Sequence, residues 1–182
     1  LDSKVQQLNT LFDLSQEFNS TVDRSGLVKL LTFALMGQML VKEHVFLIRS
    51  MSDDTRTDSG VHIVTAKGIR KDELSSDVTE ALCKVEELVL LDGENTPEGC
   101  EILKEKGFSL ILPIRQQGEV GALLCLGAKM TGQAYQPDEI EFLYALGNLA
   151  FVSLHNSYLV DDQLEKERLE EEMRLAREIQ ER

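Results

Sequence analysis

The apolar residues that follow Pro137 occupy more than one face of a helix. The spacing predicts a long helix beginning at Pro137, and its apolar side chains are Ile140, Leu143, Leu146, Leu149, Ala150, Phe151, Val152 and Leu154. A helix that is apolar most of the way round is buried on two sides. One side can cover a sheet of the same chain. The other side needs a second partner, which is either the helical segment 5–18 of this chain or another subunit.

The same helical pattern continues to the end of the sequence with a different composition. Residues 161–182 contain nine acidic and five basic side chains and no Gly or Pro. Such a helix is too polar to pack on a core, but it can pair along a narrow apolar seam. At about 1.5 Å per residue, residues 154–182 would extend roughly 40 Å. The sequence lacks an initial Met and stops within this pattern, so we expect it to be a segment of a longer protein.

Upstream of this helix, the spacing of apolar residues changes between helical and strand periods. Helices are predicted at residues 5–18, 23–42, 71–85 and 96–107, the last starting at Thr96-Pro97, and strands at 44–50, 61–66, 88–91, 108–116 and 120–129. The first two strands, separated by a polar stretch, are expected to pair antiparallel. The last two form a hairpin that is apolar on both faces, so it is predicted to lie inside the sheet. A bulge or unpaired position is expected at Pro113, which has no amide donor.

The charge and the cysteines limit the classes of function. The chain of 182 residues carries 32 acidic and 19 basic side chains, a net charge of −13. A field of this sign repels phosphate backbones and anionic lipids, so we expect no nucleic-acid partner and no membrane partner. The three cysteines, Cys83, Cys100 and Cys125, form no C-x-x-C motif, and their odd number indicates reduced thiols in a cytoplasmic protein.

The order of these elements, together with several segments, resembles a GAF domain over residues 21–160. The segments are an apolar-Pro-apolar strand at 108–114, a Gly-turn followed by a Gly-apolar-Leu strand at 118–126, Tyr135 with Asp138-Glu139 and Phe142-Leu143, and a helix end at 155–159 in which Ser157 replaces the usual Ala. The resemblance implies an α+β fold with an antiparallel central sheet of five to six strands. Helices would cover both faces of that sheet, with long N- and C-terminal helices.

The end of the chain carries a second resemblance. Residues 169–180, ending in Leu-Ala-Arg-Glu-Ile-Gln, are similar to the linker that precedes bacterial PPM-type serine/threonine phosphatase domains of the sporulation and stress-response kind. Related helices also precede histidine kinases and diguanylate cyclases. The resemblance implies an N-terminal dimerisation helix (1–20), a sensor domain (21–160) and a signalling linker (161–182) before an output domain beyond the sequence. Mg²⁺ or Mn²⁺ would belong only to that phosphatase domain.

No constellation of residues in the sequence indicates a catalyst, so we predict no catalytic residue, no metal site and no cofactor in this segment. His44 and His62 are expected to be neighbours on paired strands, but a third ligand at suitable spacing is lacking, and buried structural histidines are favoured. Lys129 and Tyr135 resemble a degraded motif of cyclic-nucleotide-binding GAF domains, in which an Asn stands where this sequence has Ala128.

A small-molecule pocket is predicted on the sheet face opposite the terminal helices, toward residues 66–107. Strand alternation gives its lining residues as Phe46, Ile48, His62, Val64, Phe108, Leu110 and Leu112. A mostly apolar pocket of this kind is generic, so the sequence does not identify the ligand. The alternative is that these side chains fill a closed core and bind nothing.

These observations predict a sensory or regulatory module that forms a homodimer through its first and last helices. It would transmit a signal along the C-terminal helix to the linked output domain by a population shift. The predicted interface residues are Leu8, Phe12, Leu146, Ala150, Leu154, Leu169, Met173 and Ala176. A structural dimerisation module without a ligand is the main alternative, and an enzyme in its own right is the third.

Overall fold

The computed structural model describes residues 2–49 and 60–182. Along these residues the elements are α1 (Asp2–Ser20), α2 (Arg24–Met39), β1 (His44–Arg49), β2 (Val61–Lys67), α3 (Ser76–Cys83), β3 (Val89–Leu90), α4 (Glu101–Glu105), β4 (Phe108–Gln116), β5 (Glu119–Gly127) and α5 (Pro137–Gln180). Ser50, at the end of the first predicted strand, and residues 51–59 of the predicted polar loop lie outside the described residues.

The five described strands form one antiparallel sheet in the order β2-β1-β5-β4-β3. The predicted pairing of β1 with β2 and the interior position of the β4–β5 hairpin are both confirmed. The hairpin turns at Gln117 and Gly118, whose φ angles are 52° and 85°. Positive φ at both central residues is the type I′ geometry, which matches the twist of the two strands that it joins.

Helices cover both faces of the sheet, so the predicted α+β architecture is confirmed. On one face, which we call the terminal-helix face, α2 and α5 pack on a buried set of strand residues: Phe46, Ile48, Leu110, Leu112, Ile114, Ala122, Leu124 and Leu126. On the other, which we call the α3–α4 face, the buried strand residues are Val45, Leu47, Phe108, Ile111, Val120, Leu123 and Cys125. Alternate residues of one strand therefore belong to different cores.

The short helix α4 begins later than predicted. Thr96-Pro97 was expected to start it, but the helix begins at Glu101. Between these points Gly99 has a φ of 89°, which is incompatible with a right-handed helix. The amide of Cys100 donates to the carbonyl of Pro97 at 3.0 Å, so the segment forms a turn before the helix.

The start of α3 and the irregularity in β4 also lie later in the chain than predicted. Helix α3 begins at Ser76, five residues later than predicted, because Ser75 caps it and accepts a hydrogen bond from the amide of Val78. In β4, Pro113 pairs in register with Leu123. The irregularity expected at Pro113 lies just beyond it, between Ile114 and the following residue.

Helix α5 runs unbroken for 44 residues. It begins at Pro137, as predicted, and packs tightly against β4 at Gly147, where a Cβ atom would lie 2.6 Å from Cδ1 of Ile114. This approach places one side of the helix in the core as far as Leu154. Past Leu154, every described side chain of α5 is half-buried or exposed. No element boundary separates residues 160 and 161, so the division into sensor and linker stays a prediction.

Candidate functional site

An open groove of about 510 Å³ runs between α1 and α5. Its lining residues are Leu11, Phe12, Ser15, Asn19, Ala145, Asn148, Leu149, Val152 and Ser153. Phe12 and Val152 are 64% and 44% exposed, although both are large apolar side chains. This α1–α5 groove therefore leaves apolar surface of two helices uncovered in a single copy of the chain.

The heptad register of the groove lining continues along α5, with apolar residues interrupted by the charged Asp162 and Lys166. Alternating steps of three and four residues connect Ala145, Asn148, Val152, His155, Leu159, Asp162, Lys166, Leu169, Met173 and Ala176. This spacing is the a/d pattern of a coiled coil, and we call these residues the α5 seam. Leu159, Leu169 and Met173 are each about half exposed, at 53%, 45% and 59%. One stripe thus extends from the groove far into the C-terminal part of the helix.

The predicted interface residues divide between the surface and the core. The exposed ones are Leu8, Phe12, Leu169, Met173 and Ala176. Leu146, Ala150 and Leu154 are instead 0% exposed, within the core of their own chain, so their assignment to a dimer interface is wrong. They form the most apolar stripe of α5, and the sheet of the same chain covers that stripe.

The residues of α5 that do line the groove were not among those predicted. Ala145 and Val152 are separated by seven residues, and they lie in the same a/d register as Met173. Counting back from Met173 in heptad steps is the signal that identifies them. That signal is weak within the domain because the polar residue Asn148 occupies the position between them.

Six of the seven predicted pocket residues lie on the terminal-helix face, so the predicted face is wrong for them. The six are Phe46, Ile48, His62, Val64, Leu110 and Leu112. Phe108 alone lies on the α3–α4 face, because a register shift between Phe108 and Leu110 changes the alternation there. Alternation divides a strand into two sets but does not say which set meets the terminal helices. Phe46 and Leu110 are 0% exposed and fill the core.

A second open groove, of about 540 Å³, lies beside α3 and β3, within the region where the ligand was predicted. Its lining residues are Ala81, Lys84, Val85, Glu86, Glu87, Leu88, Val89, Pro97 and Glu98. Three carboxylates against one ammonium group give this groove an acidic lining. An anionic ligand is therefore disfavoured here relative to a neutral or cationic one.

The predicted proximity of His44 and His62 is wrong. The antiparallel register pairs His44 with Lys67 and His62 with Ile48, toward opposite ends of the strands. His44 is 1% exposed, and neither ring nitrogen makes a well-formed hydrogen bond among the described residues. Burial and the charge of Lys67 lower the pKa of His44, and the nearby Lys42 backbone opposes this only in part. Within residues 2–49 and 60–182, no group of three or more His, Cys, Asp or Glu side chains is placed to hold a metal ion.

Lys129 and Tyr135, which resemble a cyclic-nucleotide motif, bond to neighbouring parts of their own chain. The ammonium group of Lys129, whose side chain is 6% exposed, donates to both carboxylate oxygens of Glu139 at 2.8 and 2.9 Å. The Tyr135 hydroxyl donates to the Gly127 carbonyl at 2.6 Å, and burial raises its pKa. These contacts fix the connection between β5 and α5, so both residues have a structural role.

The three cysteines are free thiols. Burial raises the pKa of Cys100 to about 11, and it also raises the pKa values of Cys83 and Cys125. A thiol is nucleophilic only as the thiolate, which a raised pKa disfavours. None of the three therefore has the setting of a catalytic cysteine.

Comparison with known proteins finds similarity at the level of structure. No protein-family model matches the chain, and no curated protein matches its sequence. The solved structures that resemble it include the GAF domain of a phosphoenolpyruvate-protein phosphotransferase from Coxiella burnetii, with a TM-score of 0.62 and 16% identity over 87% of this chain and 98% of that one. The corresponding domain from Acinetobacter has a TM-score of 0.62 and 19% identity over 86% of this chain and 98% of that one.

A third similar structure is the GAF domain of a putative sensor histidine kinase from Pseudomonas syringae pv. tomato. Its TM-score is 0.57, with 16% identity over 91% of this chain and 96% of that one. Together with the five-stranded antiparallel sheet and its two helical layers, these likenesses show that the chain has the GAF fold. Among the described residues, no helix has the length and apolar character needed to cross a membrane.

Proposed function

We propose that the chain is a cytoplasmic sensory or regulatory GAF-type module that forms a homodimer through α1 and α5. A change in the arrangement of the dimer helices would pass along residues 159–182 to a covalently linked output domain. The mechanism is a population shift, in which a ligand or partner prefers one arrangement of the dimer helices over another.

The observation that carries this proposal is the continuity of the α5 seam with the α1–α5 groove. A two-fold axis along the seam would bring the same stripe of each copy together, because such interfaces are self-complementary. Each copy would then cover the exposed Phe12 and Val152 of the other. On the polar flanks, Arg174 forms intrahelical ion pairs with Glu171 and Glu178, which reduces the repulsion between two acidic chains.

Sedimentation equilibrium tests the dimer directly. At micromolar concentration the chain should sediment as a dimer, and Val152→Glu should weaken association at least tenfold because it puts an unpaired charge among the apolar residues of the groove. Phe33→Glu is the matched control, since Phe33 is 72% exposed on α2 and lies outside the groove. A monomeric parent chain, or equal effects of the two substitutions, would contradict the proposal.

The output domain that the tail favours is a PPM-type phosphatase, with a histidine kinase or a diguanylate cyclase as the alternatives. The support is the resemblance of residues 169–180, and the exposed, continuous helix is compatible with a linker. The coding sequence downstream of this segment distinguishes them. Metal-binding aspartates of a phosphatase would support the first assignment, whereas a phosphoacceptor histidine or a Gly-Gly-Asp-Glu-Phe motif would replace it.

A structural dimerisation module without a ligand is the second candidate function. It is favoured by the burial of Phe46 and Leu110, two predicted ligand-contacting residues, in the core of the chain. A thermal-shift screen against nucleotides and metabolites separates the two candidates, because a ligand that binds only the native state raises the melting temperature. A reproducible shift supports sensing, and none across a broad library supports the structural role.

A further inference from the structure

A cluster of three side chains lies where α5 leaves the domain. The half-buried Tyr158 ring stacks on the imidazole of His62, with centroids 5.2 Å apart and an interplanar angle of 16°. The guanidinium carbon of Arg24 lies 4.1 Å from the centroid of the same Tyr158 ring. Contacts of both kinds are attractive, and they are stronger where water is excluded.

Arg24 also bonds to α5 one turn further along. Its guanidinium group forms an ion pair with Asp161, while its Nε is buried and has no hydrogen-bond partner among the described residues. Arg24 is the first residue of α2, next to the positive end of that helix's dipole, where a cation is unfavourable. The dipole of α2 therefore does not stabilise the charge of Arg24 at this position. Its contacts with the Tyr158 ring and the Asp161 carboxylate do.

His62 brings the edge of the sheet into the same cluster. It lies in β2, which pairs only with β1 among the described strands and is an edge of the sheet. The cluster therefore connects three elements: the edge strand through His62, the start of α2 through Arg24, and the exit of α5 through Tyr158. No side chain of α5 beyond Leu154 is fully buried in the described structure, so the exit turn is held by half-buried contacts, and this cluster is one group of them.

We propose that Arg24, His62 and Tyr158 form an exit latch, which makes the edge strand β2 and the exit turn of α5 loosen and tighten together. The latch deepens the proposed function, on which its signalling role rests, because α5 is the helix that would carry the signal. A change that displaces His62 removes one contact of Tyr158 and so weakens the attachment of α5 to the edge strand β2. By reciprocity, tension or rotation in α5 loosens β2.

Amide hydrogen exchange of the full chain measures this coupling, because exchange reports the local opening of each segment. His62→Ala should raise exchange in residues 155–165 about two- to tenfold, the range expected from the loss of one aromatic pair. Arg24→Met should raise exchange there and also in β2, residues 61–67. Tyr158→Phe keeps the ring and should behave as the parent chain does.

Matched controls separate the latch from general loosening. Thr65→Ala changes the same strand as His62, and Arg174→Met removes an arginine that pairs only within α5 among the described contacts. Thr65→Ala should leave exchange in residues 155–165 unchanged, and Arg174→Met should leave exchange in β2 unchanged. If Arg24→Met also raises exchange in residues 142–150, in the part of α5 that packs on the sheet, Arg24→Lys replaces it. This variant keeps the charge without the planar group, and exchange should still rise in residues 155–165 and in β2.

Exchange that rises only in β2 after His62→Ala, with residues 155–165 unchanged, would overturn the latch. Its failure differs visibly from failure of the proposed function. A monomer in sedimentation that still shows coupled exchange removes the dimeric signalling module and keeps the latch. A dimer in which exchange in β2 and in residues 155–165 is uncoupled removes the latch and keeps the dimeric module.

Discussion

Leu154 provides the sharpest test of how α5 divides its residues between core and surface. The side chain is 0% exposed among the core residues of the terminal-helix face, so Leu154→Ala removes three buried carbons and leaves a cavity. Transfer alone is worth about 2.4 kcal/mol at ~0.8 kcal/mol per methylene, and the cavity brings the expected loss to about 3 kcal/mol. In a chain of this size, the melting temperature should fall by roughly 6–12 °C.

The assay is urea unfolding followed by circular dichroism, at protein concentrations that differ roughly a hundredfold. Val152→Ala is the matched control, two residues earlier on the same helix but 44% exposed, and a surface change of this kind should cost less than about 0.5 kcal/mol within one chain. The loss in Leu154→Ala should be the same at both concentrations, whereas any effect of Val152→Ala should shrink on dilution, because weaker association costs stability only where the dimer is populated. A loss below about 1 kcal/mol for Leu154→Ala would refute its place in the core.

Three further substitutions test other parts of the fold. Because burial lowers the pKa of His44, the unfolded chain takes up its proton first, so stability should fall as the pH drops below about 6.5, and His44→Leu should flatten this dependence in urea titrations. Lys129→Met should cost about 2–4 kcal/mol by leaving the Glu139 carboxylate with the Gln136 amide but without its cation, and adding Glu139→Gln should recover part of the loss in a double-mutant cycle. Gly121→Ala should cost about 1–3 kcal/mol in thermal melts, since its Cβ would lie 2.8 Å from the Phe151 ring, and Phe151→Leu should relieve the strain.

Each of these has a clear contrary result. Equal pH dependence in the His44 variant would mean that another group controls the acid sensitivity. Additive losses in the Lys129 and Glu139 variants would deny that the pair is coupled. A melting temperature unchanged by Gly121→Ala would show that the Phe151 ring moves aside without loss of packing.

Hydrophobic periodicity predicted the elements well because each of them buries one or two continuous faces. The hairpin of β4 and β5 is apolar on both faces and lies inside the sheet for that reason. Helix boundaries were harder to predict because single backbone conformations decide them. Gly99, with its positive φ, delays α4 beyond Thr96-Pro97, and no hydrophobic pattern records that conformation.

The candidate sites were predicted less well, because a periodic pattern separates the faces of an element without saying what covers each face. Alternation in a strand separates Phe46 from Val45 but assigns neither to a particular helical layer, because that choice depends on how distant helices pack. The same ambiguity affects α5, whose apolar side chains form more than one stripe around the helix. Leu146 and Leu154 lie on its most apolar stripe, which the sheet of the same chain covers first, and the less apolar stripe through Val152 is left for a partner.

The unbroken length of α5 makes it a lever arm. Residues 154–180 contain no Gly or Pro at which the helix would bend, and they span roughly 39 Å at 1.5 Å per residue. A tilt of about 10° at Leu154 would therefore displace Gln180 by roughly 7 Å, given that rise per residue. Small rearrangements near the sheet are amplified at the far end without any residue in between changing its conformation.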